Sequence, residues 1–204
     1  MAHSLTDFKS KLIGGGARPN LFEVEITPGD LPSGIEALDG DTFKYLCKAA
    51  NLPASNVASI DVPFRGRTLK VAGDREIGPW SITVINDEDF RLRTAFERWA
   101  NVMSKLDDAT GVTNPTSYMA DAYVQQLGRG REAFADTNAG GSSSVLRTYK
   151  FYDIFPTEVA QIDLSYDTGD TIEEYTVEFQ VQYWTAGSAQ SSGGATDQAG
   201  ISIS

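Results

Sequence analysis

A mainly β fold, a β-sandwich or partly open barrel of about eight strands with one flanking α-helix, follows from three features of this 204-residue chain. Apolar and polar residues alternate in segment after segment, as in Phe22-Glu23-Val24-Glu25-Ile26 and Tyr175-Thr176-Val177-Glu178-Phe179. One stretch, 87–105, sustains a helical period over several turns. Clusters of Gly, Pro, Asn and Asp separate the alternating runs.

Taken in order, residues 1–20 read as a flexible N-terminal arm containing Gly14-Gly15-Gly16 and Pro19. The β domain is expected over 21–184, and a flexible Gly/Ser/Ala/Gln tail over 185–204. Phe22, Val24 and Ile26 give the first strand its buried face. Pro28, Gly29, Pro32, Gly34 and Gly40 mark 28–41 as loop. A short helix is expected over 42–50, with Phe43, Leu46, Cys47 and Ala50 on one face and Pro53 beyond its end. Ala58, Ile60, Val62 and Phe64 alternate with Ser59, Asp61 and Pro63; the proline lacks a ladder donor, so an edge or a bend is expected there. Arg65-Gly66 reads as the bend, Leu69 and Val71 as the return strand, and Trp80, Ile82 and Val84 as the next apolar face.

For the helix over 87–105, Asn86 is the expected N-cap, with Asp87, Glu88 and Asp89 favourable in the first turn. Leu92, Phe96, Trp99, Met103 and Leu106 form its stripe, which at this spacing is core. A strand over 118–127 and a long polar loop over 128–144 follow, then a strand over 145–152 broken by Pro156. The clearest hairpin signal is last. Ile162, Leu164 and Tyr166 turn through 167–170 to a return strand whose one face is Tyr175, Val177, Phe179, Val181 and Tyr183.

The formal net charge is −11, which disfavours ordinary phosphate-backbone binding. The single Cys47 can form no internal disulfide and reads as a small core residue, consistent with folding in a reducing cytoplasm. No secretion signal or long apolar run is present, so no membrane insertion is expected. The only histidine, His3, sits in the arm, which argues against a His-based triad or a His-ligated metal. Phosphate-binding glycine motifs and C-x-x-C are absent. No catalytic, cofactor-binding or metal residues are assigned.

Two charge clusters stand out. Asp167, Asp170, Glu173 and Glu174 are carboxylates of the kind that hold Ca²⁺, but their spacing is not that of an EF-hand loop, and a solvated turn is the reading kept. Arg65, Arg67, Lys70 and Arg75 form the only compact basic run. No stacking aromatics interleave with it, so a contact with acidic surface on another copy of the chain is preferred to a nucleic-acid site or a plain solvated face.

The chain resembles the major tail tube proteins of contractile-tailed bacteriophages over roughly residues 20–184. The resemblance rests on Phe22-Glu23-Val24, Tyr45-Leu46-Cys47-Lys48-Ala49-Ala50-Asn51-Leu52-Pro53, Val62-Pro63-Phe64-Arg65-Gly66-Arg67 and Val71-Ala72-Gly73-Asp74-Arg75. It continues through Pro79-Trp80-Ser81-Ile82-Thr83-Val84-Ile85-Asn86-Asp87, the helix ending near Trp99, Tyr152-Asp153-Ile154-Phe155-Pro156 and Gln182-Tyr183-Trp184. The order and spacing of these pieces carry it. It implies a fold like that of contractile-injection tubes, including the type VI secretion tube protein. It also implies a structural, non-enzymatic subunit of stacked hexameric rings, the inner tube of a contractile tail, with no cofactor. The implied partners are other copies of the chain and the sheath, baseplate, tape-measure and tail terminator proteins. DNA would be a passenger only, and the implied location is the virion tail, assembled in the host bacterial cytoplasm.

Two readings stand beside it. One is a β-rich binding module for carbohydrate or protein, which would use exposed aromatics such as Tyr183 or Trp184, or an effector-type enzyme of similar fold. The other is the tube of a DNA-free contractile injection particle. On the tube reading, a lumen face is expected on the last hairpin. Seven acids and no Lys or Arg lie between Glu158 and Trp184. Asp163, Glu174, Glu178, Gln180 and Gln182 would form a wall that repels phosphates at short range.

Overall fold

The computed structural model of the chain describes residues 5–11, 16–27, 29, 35–38, 40–128, 145–167 and 169–188. Nine strands are present among them: β1 Phe22–Thr27, β2 Cys47–Ala50, β3 Asn56–Phe64, β4 Arg67–Glu76, β5 Trp80–Ile85, β6 Ala120–Leu127, β7 Val145–Val159, β8 Glu174–Gln180 and β9 Tyr183–Ser188. Helices α1 Leu5–Lys11, α2 Asp41–Leu46 and α3 Arg91–Met103 accompany them, with two short 3₁₀ turns.

Seven strands join in one antiparallel sheet that folds over on itself. One half runs β1-β6-β7 with β9 on the far side of β7; the other runs β7-β8-β5-β2. The strand common to both is β7. Its partner across the fold is nearly unbroken: Tyr152 opposes Tyr183, and Phe155 opposes Gln180. At this corner both strands change the side on which they bury residues. On β7 the buried positions pass from Phe151 to Ile154 and Pro156. Opposite, they pass from half-buried Trp184 to buried Val181 and Phe179. Asp153 makes the change with φ 53°, a left-handed conformation that a short polar side chain tolerates. Its N–H donates to Asp121 Oδ1 at 3.3 Å. The result is a half-open barrel, not a closed one.

The opening is filled by α3. Leu92, Ala95, Phe96 and Trp99 on one face are buried. Phe96 meets Phe43, Tyr175 and Phe179 edge-on, and Trp99 lies 6.0 Å from Phe179. The indole Nε1–H of Trp99 donates to Tyr118 O at 2.7 Å. From the other half-sheet, Phe151 stacks on Trp80 at 4.6 Å, so both halves and the helix share one core. Across the remaining gap, α2 contacts β1 and β2, and Lys44 reaches Glu23 and Glu25 of β1.

Several elements differ from the sequence reading, each for a local reason. The helix expected over 42–50 stops at Leu46, and residues 47–50 become β2, because β5 offers an open edge there: Cys47 opposes Val84 and Ala50 opposes Ile82. Cys47 is buried, and desolvation pushes its thiol up to about 12, so it stays protonated and unreactive near neutral pH. The helix expected over 87–105 begins at Arg91, not at Asp87. Asn86 lies too far before Arg91 to cap it, and its amide donates to Glu173; Phe90, at φ 54°, is the N-cap, and Asp87 Oδ2 accepts from the Arg91 N–H. The helix ends at Met103 because the chain doubles back on it. Val112 N–H donates to Val102 O, and a Cβ on Gly111 would lie 1.9 Å from Met103 O. Leu106 is therefore off the stripe and exposed.

Pro156 does not break its strand. It lies within β7 opposite Phe179, where a register shift before Glu158 absorbs the missing donor. The partner of β8 is thus the end of β7, and the hairpin expected between residues 161–166 and 175–183 does not form. Residues 160–167 and 169–173 form no strand; most are exposed, while Ile162 packs against the core. Residues 185–188, expected as the start of a flexible tail, belong to β9. The loop expected over 128–144 and the segment after Ser188 lie almost entirely outside the described residues.

Candidate assembly interface

Among the described residues, the hairpin of β3 and β4 is a surface without an internal partner. It forms a separate two-stranded sheet and packs substantially on no other element. Its reversal at Arg65 and Gly66 has φ of 46° and 79°, both positive, as the two-residue hairpin turn of right-handed twist requires. The cross-strand register pairs Ile60 with Val71, Val62 with Leu69, and Phe64 with Arg67. Opposed residues share a face, so Ile60, Val62, Phe64, Leu69 and Val71 make one apolar face, with Arg67 at its outer end. Phe64 is 67% exposed and Leu69 63%. An isolated two-stranded hairpin is marginal in water, and a contiguous apolar face of this size marks an interaction site.

The basic run divides over this ribbon. Arg65 sits at the tip with its guanidinium 5.4 Å from the Phe64 ring, and Arg67 lies on the apolar face. On the polar face, Lys70 pairs with Asp61 at 2.8 Å. Beyond a register shift in β4, Arg75 opposes Val57. The four cations therefore do not form one patch. The apolar face, which sequence reasoning missed as an interface, is the dominant feature; periodicity shows that a face is apolar but not what will cover it.

The acidic residues also separate. Glu174, Thr176, Glu178 and Gln180 share the outer face of β8, beside Ser81 and Thr83 of the paired β5. Lys48 forms an ion pair with Glu174 at the edge of that face. Gln182 lies in the bend between β8 and β9, and Asp163 in the 160–173 connection, away from the sheet. Tyr183 and Trp184 form no flat platform: Tyr183 stacks on Tyr152 at 4.4 Å, and half-buried Trp184 tilts against Tyr149. A cleft of about 330 Å³ at the root of the hairpin is lined by Leu52, Ile77, Pro79, Trp80 and Trp184, without a charged group. Among the described residues, no group of three or more His, Cys, Asp and Glu is placed to share a metal ion, Asp167, Asp170, Glu173 and Glu174 included. No helix among them is long and apolar enough to cross a membrane.

A half-open barrel with an unpartnered amphipathic hairpin defines a subunit built for assembly. Residues 17–187 match the family model described as phage tail tube protein, and the chain belongs to that family. It is 31% identical over 171 residues to the tail tube protein gp19 of Enterobacteria phage T4, covering 84% of this chain and 92% of that protein. It is 24% identical to the tail tube protein of Serratia phage KSP90, over 87% of this chain and 93% of that one. Among solved structures, a chain of the anti-feeding prophage baseplate aligns at a TM-score of 0.59 with 13% identity, over 86% of this chain and 97% of its own. A chain of the sheath–tube complex of an extracellular contractile injection system aligns at 0.53 with 12% identity, over 92% and 99%. The protein is thus a structural component of the phage tail, a tail tube protein of the contractile type.

Proposed function

We propose that copies of this chain form six-membered rings that stack into the inner tube of a contractile tail, the conduit through which DNA leaves the virion. The observation that carries this reading is the β3–β4 hairpin, an apolar face that the subunit itself leaves uncovered. Three further strands, β1, β2 and β9, each have one unpaired edge among the described residues. Such edges are a liability in a monomer and a means of joining subunits in a tube. The proposed partners are the sheath, baseplate, terminator and tape-measure proteins. Similarity to chains from a baseplate, a sheath–tube complex and a tube-terminating cap supports the first three. DNA is the proposed cargo because the 31%-identical relative is a phage protein, whereas the injection-system chains share only the fold. Assembly is placed in the host cytoplasm, and no enzymatic role is assigned.

Negative-stain micrographs of the purified protein test the proposal. Rings or tubes are expected; a monomer at all concentrations in sedimentation would overturn it.

The outer face of β8 is proposed as part of the lumen wall. Glu174, Glu178 and Gln180 present acceptors and negative charge there, which lets a polyanion slide without being gripped. Cys47 is buried, so an introduced cysteine is the only reactive thiol. Glu178→Cys is expected to react with a small maleimide in assembled tubes, but with a polymer-linked maleimide only after disassembly. Equal reaction of both reagents with intact tubes would place this face on the outside.

A further inference from the structure

The hairpin and the 160–173 connection lie at opposite ends of one half-sheet. In the β5–β8 pair, Trp80 opposes Phe179 at one end and Ile85 opposes Glu174 at the other. The hairpin departs from the Trp80 end, where the Trp80 indole donates to Asn51 O at 2.9 Å and ties down its root. The connection enters β8 at the Ile85 end, where the Asn86 N–H donates to Glu173 O at 2.9 Å. The two ends are about 17 Å apart along a six-residue strand.

Their chemistries match. The distal part of the hairpin, residues 62–69, carries Arg65 and Arg67 and no acid, in a chain whose net charge is −11. Residues 160–173 carry Asp163, Asp167, Asp170 and Glu173 and no base. Both are also apolar. Leu164 is 80% exposed and Ile172 72%, and Tyr166 is fully exposed. Each surface offers what the other needs: greasy contact area with the opposite charge around it.

We infer that the apolar face and tip of one copy's β3–β4 hairpin dock on the 160–173 connection of the next copy, with Arg65 and Arg67 meeting Asp163 and Asp167. Because donor and acceptor are different surfaces, rooted at opposite ends of one half-sheet, the contact is head-to-tail. It gives the chain a polarity, and it rests on the tube reading above by naming which surface of the next subunit receives the hairpin. Helix α1 also exposes apolar side chains, Leu5 and Phe8, but carries Asp7, Lys9 and Lys11 together and offers no charge match.

Charge exchange tests this directly. Arg65→Glu/Arg67→Glu and Asp163→Arg/Asp167→Arg should each raise the concentration needed for tube growth by about tenfold or more, since like charges then face each other. Mixed in equal amounts, the two variants should grow tubes again, because every contact in an alternating stack is matched. All four changes in one chain should also restore growth. Wild-type tubes with no rescue in the mixture would overturn the inference while leaving the tube reading intact, and would point to α1 or another protein as occupant. Wild-type protein that never assembles would overturn both. An independent arm places Leu69→Cys and Leu164→Cys in one chain. Oxidation should give a covalent ladder beyond the dimer, and its absence from intact tubes counts against the docking even if the charge variants fold poorly.

Discussion

Trp99→Ala is expected to lower the stability of the unassembled subunit by roughly 3–5 kcal/mol, the range for removing a buried large aromatic. The indole is fully buried where α3 closes the opening of the barrel, 6.0 Å from Phe179. Its loss removes packing on both sheet and helix. It also strands the Tyr118 carbonyl, which accepts the indole N–H at 2.7 Å and would be left without that donor. The cavity would be hard to collapse, because its walls are strands held in register on both sides. Urea unfolding at a concentration too low for assembly measures the effect, since assembly adds stability of its own. A change under about 1 kcal/mol would show that α3 contributes little to holding the halves together.

Val62→Asp/Leu69→Asp should separate assembly from folding. These residues oppose each other in the middle of the hairpin's apolar face. If that face is covered in the tube, each carboxylate must be buried without a partner, a change of several kcal/mol per subunit contact. Growth should then fail altogether, with no pelletable material at concentrations where the wild type is fully assembled. The body should scarcely notice, because β3 and β4 pack substantially only on each other. The expected stability change in urea is within about 0.5 kcal/mol. Normal tubes from this variant would remove the hairpin from the interface, whatever its exposure in the single subunit.

The parts legible from sequence are those whose periodicity is satisfied within one element. β1, β5 and β8 bury the residues their alternation indicates, and Phe96 and Trp99 lie on the face of α3 that the stripe marks. Tyr183 marks where this stops. Alternation places it with Val181, but the corner at Asp153 inverts both strands, and Tyr183 turns outward onto Tyr152. A bulge of this kind is set by the partner strand and leaves no trace in the spacing of one segment. Residues 47–50 and 160–166 failed for the same reason. The former carry a helical pattern but complete an edge of β5; the latter alternate like a strand, yet the long β7 already occupies the place beside β8.

At the candidate interface the sequence reading weighed charge and left the apolar face of the same segment aside. Arg65 and Arg67 drew attention because basic residues are scarce in this chain. Ile60, Val62 and Phe64 showed only as an alternating apolar face, since a pattern cannot distinguish a surface buried in its own core from one left uncovered. Leu164 and Tyr166 likewise alternate as in a strand but stand exposed in the connection.

The corner shared by the two half-sheets has a mechanical consequence. From Arg147 to Val159, β7 is hydrogen-bonded to a single return path that crosses the bend with almost no break in register. Tension entering along β8 is therefore handed to β9, and so to the other half of the barrel, through backbone bonds that run across the direction of pull and resist together. A subunit joined by side-chain packing alone would peel at that seam. This one passes a load along β8 from one half-sheet to the other as a single stiff body.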